Sequence, residues 1–431
     1  MTIDHPLPAR CVASLVPLRR TGTGRRLAHL IVVGLTLGMA AVASATAQDL
    51  PTRAEELEAA RRAKELALEQ APPPNKVEQA FSFIEETRLF NRIFNPPRGW
   101  FAQIGGVGEG NGFTLGGGYR QPTPLGVFTA RALGSMRHSH LAGLEFSRAF
   151  LPHEAGEIRA SVTRRHEAAQ RYYGSGPDTD AATRTSYGFS ATQVDVSASV
   201  RVTHWLTGTA GIGFGNPDLT ESSESGRVPG TGSVFTEAEA PGLTRQPEYL
   251  LSHIGAVVDT RDTRNPREGG LYQFALRRFH DRDDGAFSFS DVRVDLQQFI
   301  PFWNKSRVLA LRALAHHADG IGQAQVPFYL MPTLGGARTL RGYDRQRFRD
   351  RSLIYLSAEY RYEVNPFLMG AVFYDAGQVA PDFSHFSVRD FRDNFGVGLR
   401  VGYSNAVAIR ADLAFGGEDA VRFILGFTTS F

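Results

Sequence analysis

Residues 421–431 read VRFILGFTTSF and alternate with period 2: Val421, Phe423, Leu425, Phe427 and Phe431 share one face, and Arg422, Gly426, Thr428 and Ser430 share the other. Two stretches upstream repeat the pattern. Phe395, Val397, Leu399, Val401 and Tyr403 oppose Gly396, Gly398, Arg400 and Gly402, and Val407, Ile409, Leu413 and Phe415 oppose Arg410 and Asp412. Side chains on a strand point alternately to its two faces, so each segment reads as a strand with one apolar face and one face of charge or glycine. A soluble β-sandwich alternates too. The lengths of the strands and of the links between them, and the N-terminus, decide between the two.

Working back to Phe101, sixteen candidate strands lie near 101–107, 112–120, 126–134, 141–150, 156–165, 185–201, 208–216, 248–259, 271–280, 287–300, 307–316, 352–362, 367–376, 392–403, 407–415 and 421–431. Short links such as QPTPL (121–125), HWLT (204–207), FWNKS (302–306) and YSNA (403–406) alternate with long ones such as 217–247. Strands of about 9–11 residues and an even strand number suit a transmembrane β-barrel, with lipid on the apolar face, short turns in the periplasm and long loops outside. The expected fold is all-β, a sixteen-stranded antiparallel barrel over 100–431.

The N-terminus agrees. RRLAHLIVVGLTLGMAAVASATA (25–47) has a basic start, an apolar core and the small-x-small pattern Ala45-Thr46-Ala47, which reads as a cleaved signal peptide over 1–47. A spanning helix competes, but the apolar core falls short of the roughly 20 residues required. Cleavage removes Cys11, the only cysteine, together with five Arg and one Asp, and takes the net charge from +3 to −1. That balance does not suggest a nucleic-acid partner. Residues 48–99 are rich in helix formers, broken by APPP (71–74) and ended by NPPRG (95–99), and read as a short helical periplasmic extension.

The sixth long loop, roughly 317–351, contains GGARTLRGYDRQRF (335–348), with four arginines. Charge in such a loop is ordinarily solvated. The flanking strands argue otherwise. In 353–361, Ile354, Leu356, Ala358 and Tyr360 take the lipid face and turn Tyr355, Ser357 and Glu359 inward; in 368–377, Leu368, Gly370, Val372 and Tyr374 turn Phe373 and Asp375 inward. Two carboxylates on neighbouring strands face the lumen, and a guanidinium from the loop has the planar fork to bond both. Arg338 and Arg349, on the flanks of the loop, are expected to be solvated.

LGGARTLRGY (334–343), followed by SLIYLSAEYRY (352–362) and FYDAG (373–377), resembles the BamA/TamA family of outer-membrane proteins, or bacterial surface antigens. DTRDTRNPREGG (259–270) is similar to that family's turn between the eighth and ninth strands, YYGSGPDT (172–179) to its third outer loop, and Phe431 to its C-terminal assembly signal. The resemblance covers about 100–431. It implies an outer-membrane location, an inward sixth loop with Arg341 against Glu359 and Asp375, close packing at Gly342 and a wedge at Tyr343. It also implies outer-membrane lipid as surroundings, the barrel-assembly machinery as partner during insertion, and protein or lipid as cargo. Residues 48–99 are too short for a periplasmic POTRA domain plus its strands, so the expected place is a POTRA-less branch.

Other signals are set aside. Gly105, Gly106, Gly108, Gly110 and Gly112 lack the strand and helix that frame a phosphate loop, and Gly174-Ser175-Gly176 lacks the strand-to-helix turn of a serine hydrolase. His316 and His317 are adjacent on a strand and point apart. DRDDG (281–285) misses calcium-loop spacing and is expected to be solvated. No cofactor, metal or catalytic residue is expected, and the chain is read as no enzyme. Two functions stay open: assistance in membrane biogenesis by insertion or transfer of protein or lipid, and a transport pore.

Overall fold

The computed structural model describes residues 89–431 apart from 109–111, 264, 304–305, 366, 404–405 and 427–431. The expected signal peptide, the extension up to residue 88 and Phe431 lie outside the described residues. A short helix, α1 (Leu89–Phe94), stops ahead of Asn95-Pro96-Pro97, since proline disfavours helical backbone at the residue before it. Arg120 fixes the departing chain, donating from Nη1 to Asn95 Oδ1 and to the Pro96 carbonyl, each at 2.9 Å.

The chain then runs through β1 (Gly99–Ile104), β2 (Thr114–Thr123), β3 (Gly126–Ser135), β4 (His140–Ala149), β5 (Gly156–Tyr172), β6 (Thr185–Arg201), β7 (Leu206–Thr220), β8 (Tyr249–Asp259), β9 (Gly269–Asp281), β10 (Phe289–Phe302) and β11 (Arg307–Gly320). A two-stranded hairpin, β12 (Thr333–Leu334) and β13 (Phe348–Arg349), lies in the next link, followed by β14 (Ser352–Asn365), β15 (Leu368–Ala380), β16 (Arg392–Tyr403), β17 (Ala406–Phe415) and β18 (Arg422–Gly426). Apart from that hairpin, each strand pairs antiparallel with the next in one sixteen-stranded sheet. The expected strands recur with shifted ends. β5 continues to Tyr172 instead of ending near 165, and there Ala168, Ala169, Gln170 and Tyr172 are all buried. Both faces are covered in that stretch, which erases the alternation that marks a half-buried strand.

Exposure follows the alternation elsewhere. Leu356, Val372, Val397, Leu399 and Phe423 are exposed, while Tyr355, Glu359, Phe373, Asp375, Arg400, Arg410 and Asp412 are buried on the other face. The apolar face ends in aromatic side chains at the short-turn rim. Trp100 packs edge-on against Tyr119, and Arg307 lies 4.2 Å from the Trp303 ring centroid. Such girdles mark the membrane–water boundary of a barrel. The sheet curls far enough for distant strands to meet on one loop residue: Asp344 pairs with both Arg171 of β5 and Arg422 of β18.

This division of faces is testable. Leu296→Arg, on the exposed apolar face of β10, is expected to cost about 2–4 kcal/mol, as a cation near the bilayer midplane does. Gln103→Arg, on the inward face of β1, should cost less than about 1 kcal/mol. Unfolding of both variants by urea in lipid vesicles checks the contrast.

Candidate functional site

The link between β11 and β14 folds back into the curl of the sheet. β12 and β13 pair through Thr333↔Arg349 and Leu334↔Phe348, so residues 335–347 form a hairpin tip. Leu334, Leu340, Tyr343 and Phe348 of this hairpin pack against Leu314 of β11, Leu353 and Tyr355 of β14 and Val379 of β15. The apolar residues in a loop otherwise full of arginine are thus its contact with the inward wall.

Arg341 is 1% exposed at the centre. Its Nε and Nη2 donate to Asp375 Oδ2 and Oδ1 at 2.7 and 2.8 Å, and Nη1 donates to Glu359 Oε2 at 2.9 Å. The guanidinium lies 3.4 Å from the centroid of the Phe373 ring, adding a cation–π contact. Asp375 also accepts from Ser357 Oγ at 2.7 Å, Tyr355 OH at 3.1 Å and Asn394 Nδ2 at 3.1 Å. The carboxylates expected to meet Arg341 therefore do so. A third, Asp412 of β17, reaches Nη1 at 3.4 Å.

Around this centre the charge continues as a lattice. Glu359 takes Arg361 Nε at 2.9 Å and Arg400 Nη2 at 3.0 Å, and Asp412 pairs with Arg400 and Arg410. Arg410 in turn donates to the carbonyl of Ala337, in the hairpin tip, at 2.8 Å. On the other side, Arg312 binds Asp295 through two bonds of 2.9 and 2.7 Å and donates to the Arg338 carbonyl at 3.0 Å. Arg400, Arg410 and Asp412 had been read as inward from their alternation, but their link to the loop had no signal in the sequence.

Gly342 and Tyr343 sit where close packing and a wedge were expected. A Cβ on Gly342 would lie 2.7 Å from Asn394 Cβ and 3.2 Å from Gly417 Cα. Tyr343 is buried against Phe348, and its hydroxyl donates to the Asp393 carbonyl at 3.4 Å.

Two expectations are corrected. Arg338 is exposed, as expected, but Arg349 is 2% exposed. Arg349 donates to the carbonyls of Phe328 and Arg171 and lies against the rings of Tyr172 and Phe328. Its pairing in β13 places it beneath a lid of aromatic residues, and its acceptors are backbone carbonyls, which leave no mark on a sequence. That lid joins Tyr172, Tyr187, Phe189, Phe328 and Tyr329. In DRDDG, Asp281 is buried and accepts the amides of Asp283 and Phe287 at 2.8 and 3.1 Å. Arg282, Asp283 and Asp284 are exposed, as expected, so the correction concerns Asp281 alone, the buried carboxylate on which the turn is built. Among the described residues no cluster of three or more His, Cys, Asp or Glu is placed to hold a metal ion.

The third loop clasps the hairpin from above. Gly176 N donates to the Arg349 carbonyl at 2.8 Å, Arg347 meets Thr179 and Glu418, and Tyr173 OH donates to Asp344 at 2.9 Å. The turn at 259–270 is closed by Asp262, which accepts the Arg267 amide at 3.0 Å, and by an Arg267–Glu363 pair.

Residues 107–431 match the Omp85 superfamily domain. The chain belongs to the Omp85 superfamily. Among solved structures this Omp85 chain is similar to BamA from Haemophilus ducreyi lacking POTRA domains 1–3, at 13% identity over 77% of this chain and 68% of that one, with a TM-score of 0.55. CdiB from Acinetobacter baumannii follows at 14% identity over 76% and 58%, TM-score 0.46, and CdiB from Escherichia coli at 12% over 77% and 62%, TM-score 0.48. At 13% identity the BamA likeness is one of fold, and the CdiB superpositions are too loose to add to it. No curated protein sequence matches the chain. With the family established, the sixteen-stranded sheet is a bacterial outer-membrane β-barrel.

Removing Arg341 from this Omp85 barrel strands buried carboxylates. Arg341→Ala is expected to lower stability by about 3–5 kcal/mol, as loss of one partner of a buried pair does. Arg341→Lys should not restore it, since an ammonium lacks the planar fork, and Arg338→Ala should cost less than about 1 kcal/mol. Glu359→Gln with Asp375→Asn should make the loss of Arg341 much cheaper. Thermal unfolding in detergent, followed by loss of heat-modifiable migration, measures all four.

Loop 6 should also loosen in acid. Burial alone would raise the Asp344 carboxyl, but Arg422 and Arg171 outweigh it and hold the group below the ordinary carboxylate value of 3.8. A carboxyl depressed in the fold contributes stability above its unfolded pKa and loses it as pH falls through the folded value. Proteolysis within 335–348 should therefore rise as pH drops below about 4. Asp344→Asn should show the fast rate already at pH 7 and lose the pH dependence.

Proposed function

We propose that this Omp85 chain assists membrane biogenesis, inserting or transferring protein or lipid along its barrel wall rather than passing solutes through an open lumen. The observation that carries this reading is the occupied lumen. The loop-6 hairpin is fixed across β11, β14, β15 and β17 by Arg312 and the Arg341 lattice, and the aromatic lid lies over it. Along β1–β5, Phe94 of α1 lines an inward cavity together with Gln103, Arg120, Arg131 and Glu145. A cargo of protein or lipid has no comparable obstruction on the wall, whose outer face is already apolar.

The same reading finds no hydroxyl–imidazole–carboxylate relay among the described residues. His253 and His316 meet the carboxylates of Asp195 and Asp291, whereas His166 and His317 meet the hydroxyls of Ser190 and Ser352. His385 contacts both Asp382 and Ser384, but through the single ring nitrogen Nδ1. A hydroxyl–imidazole–carboxylate relay needs both ring nitrogens of one histidine.

The test pairs two measurements on the full chain. In planar bilayers the wild type is expected to show little steady conductance and Arg341→Ala large, frequent openings. In vesicles the wild type is expected to speed the folding of a second, unfolded outer-membrane barrel over empty vesicles. Steady wild-type conductance without such acceleration would support the transport-pore reading instead.

A further inference from the structure

On strands β4–β6 the outward face changes character abruptly toward the rim that bears the long loops. Phe146 and Leu144 on β4, Ile158 and Val162 on β5, and Val196 and Val194 on β6 form an apolar band in register, through Phe146↔Ala160↔Val196 and Leu144↔Val162↔Val194. The next outward positions are Arg164 and His166 on β5, with His140 on β4 directly opposite His166. The two imidazoles lie with ring centroids 4.9 Å apart. Arg164 Nη1 donates to Thr192 Oγ1 at 2.8 Å and His166 Nδ1 contacts Ser190 Oγ at 2.9 Å, both on β6.

Arg164 and His140 are exposed and His166 half-buried. Among the described residues none of the three has a carboxylate partner, and the hydroxyl contact of Arg164 leaves its guanidinium charge uncompensated. The nearest outward carboxylate in register is Asp218 on β7, opposite Ser190 and a strand beyond His166. Inward cations of the same strands are treated differently: Arg159 pairs with Glu145 and Glu157, and Arg165 with Glu167. The outward row is thus a guanidinium and two imidazoles on the loop-ward side of the exposed apolar residues, with hydroxyls alongside that bond phosphate oxygens as readily.

We infer that His140, Arg164 and His166 form a binding site for the phosphate of a phosphorylated glycolipid in the outer leaflet of the membrane. A guanidinium bonds two phosphate oxygens at once, Thr192 and Ser190 supply further donors, and the acyl chains lie along Leu144, Val162 and Val194. Anionic lipid gains free energy from a permanent cation such as Arg164 near the surface, and the two imidazoles add N–H donors. A glycolipid carrying phosphate on a sugar also brings sugar hydroxyls, which the imidazoles of His140 and His166 can bond beside the phosphate.

The experiment is native mass spectrometry of the full-length protein in detergent, titrated with bis-phosphorylated lipid A, with lipid A stripped of phosphate and with phosphatidylglycerol. The wild type is expected to retain bis-phosphorylated lipid A at least tenfold better than the stripped form and better than phosphatidylglycerol, with millimolar inorganic phosphate competing weakly. The triple variant His140→Gln, Arg164→Gln, His166→Gln should lose that preference while keeping heat-modifiable migration, since all three side chains face outward. Arg278→Gln, outward on β9 and opposite Ser252, should keep it. Equal retention of both lipid A forms, undiminished retention by the triple variant, or an equal loss in Arg278→Gln would each overturn the assignment. Preference for phosphatidylglycerol would overturn the glycolipid as occupant.

Discussion

A guanidinium removed from water sets the terms for this barrel. Arg341 stays charged at any pH the protein meets, and burying it alone would cost several kcal/mol even after relaxation. It is stable in the lumen because Asp375, Glu359 and Asp412 surround it, and those three reach it only in one register. Ser357↔Asp375 and Glu359↔Phe373 fix β14 against β15, and Gly398↔Asp412 fixes β16 against β17. A one-residue slip reverses the faces of a strand; here it would turn a carboxylate into lipid and an apolar side chain into the lattice. The loop and the register of four strands are therefore one electrostatic problem with one solution.

The lattice also explains why the inward faces alternate between charge and glycine. A Cβ on Gly396 would lie 2.3 Å from the Phe373 ring, and one on Gly398 2.1 Å from Asp412 Oδ1. The same holds away from the loop. His253 of β8 reaches Asp195 of β6 across β7, at 2.9 Å, over Gly211, where a Cβ would meet the imidazole at 2.4 Å. Large inward groups thus extend over a neighbouring strand, and the glycines are the floor beneath them.

How much of this was legible depends on range. Period-2 alternation revealed the strands and turned Glu359, Asp375, Arg400, Arg410 and Asp412 inward, because facing is a local property of a strand. That a loop guanidinium meets Glu359 and Asp375 was legible because both carboxylates lie within the two strands that follow the loop, whereas the choice of Arg341 among the loop's arginines came from the family resemblance. Asp412 was not joined to them, since it comes from β17, across β16. Arg349 was misread because its neighbours, Tyr172 and the carbonyls of Phe328 and Arg171, come from the end of β5 and from the link after β11, which meet only when the sheet curls. Asp281 misled for a related reason: a carboxylate serving backbone amides looks, in sequence, like one serving water.

The sources of the clasp around residues 335–347 have a consequence for the order of events in folding. Asp344 takes arginines from β5 and β18, Arg347 takes Thr179 and Glu418, and Gly342 abuts Gly417, where an added Cβ would lie 1.7 Å from the Gly342 carbonyl oxygen. Partners so far apart in the chain bring a large loop-closure entropy that must be met before any of these bonds form. The hairpin cannot latch while the C-terminal segment is still elsewhere. Docking of this one loop therefore reports that the whole polypeptide has arrived, making it a checkpoint of completeness written into the geometry of the lumen.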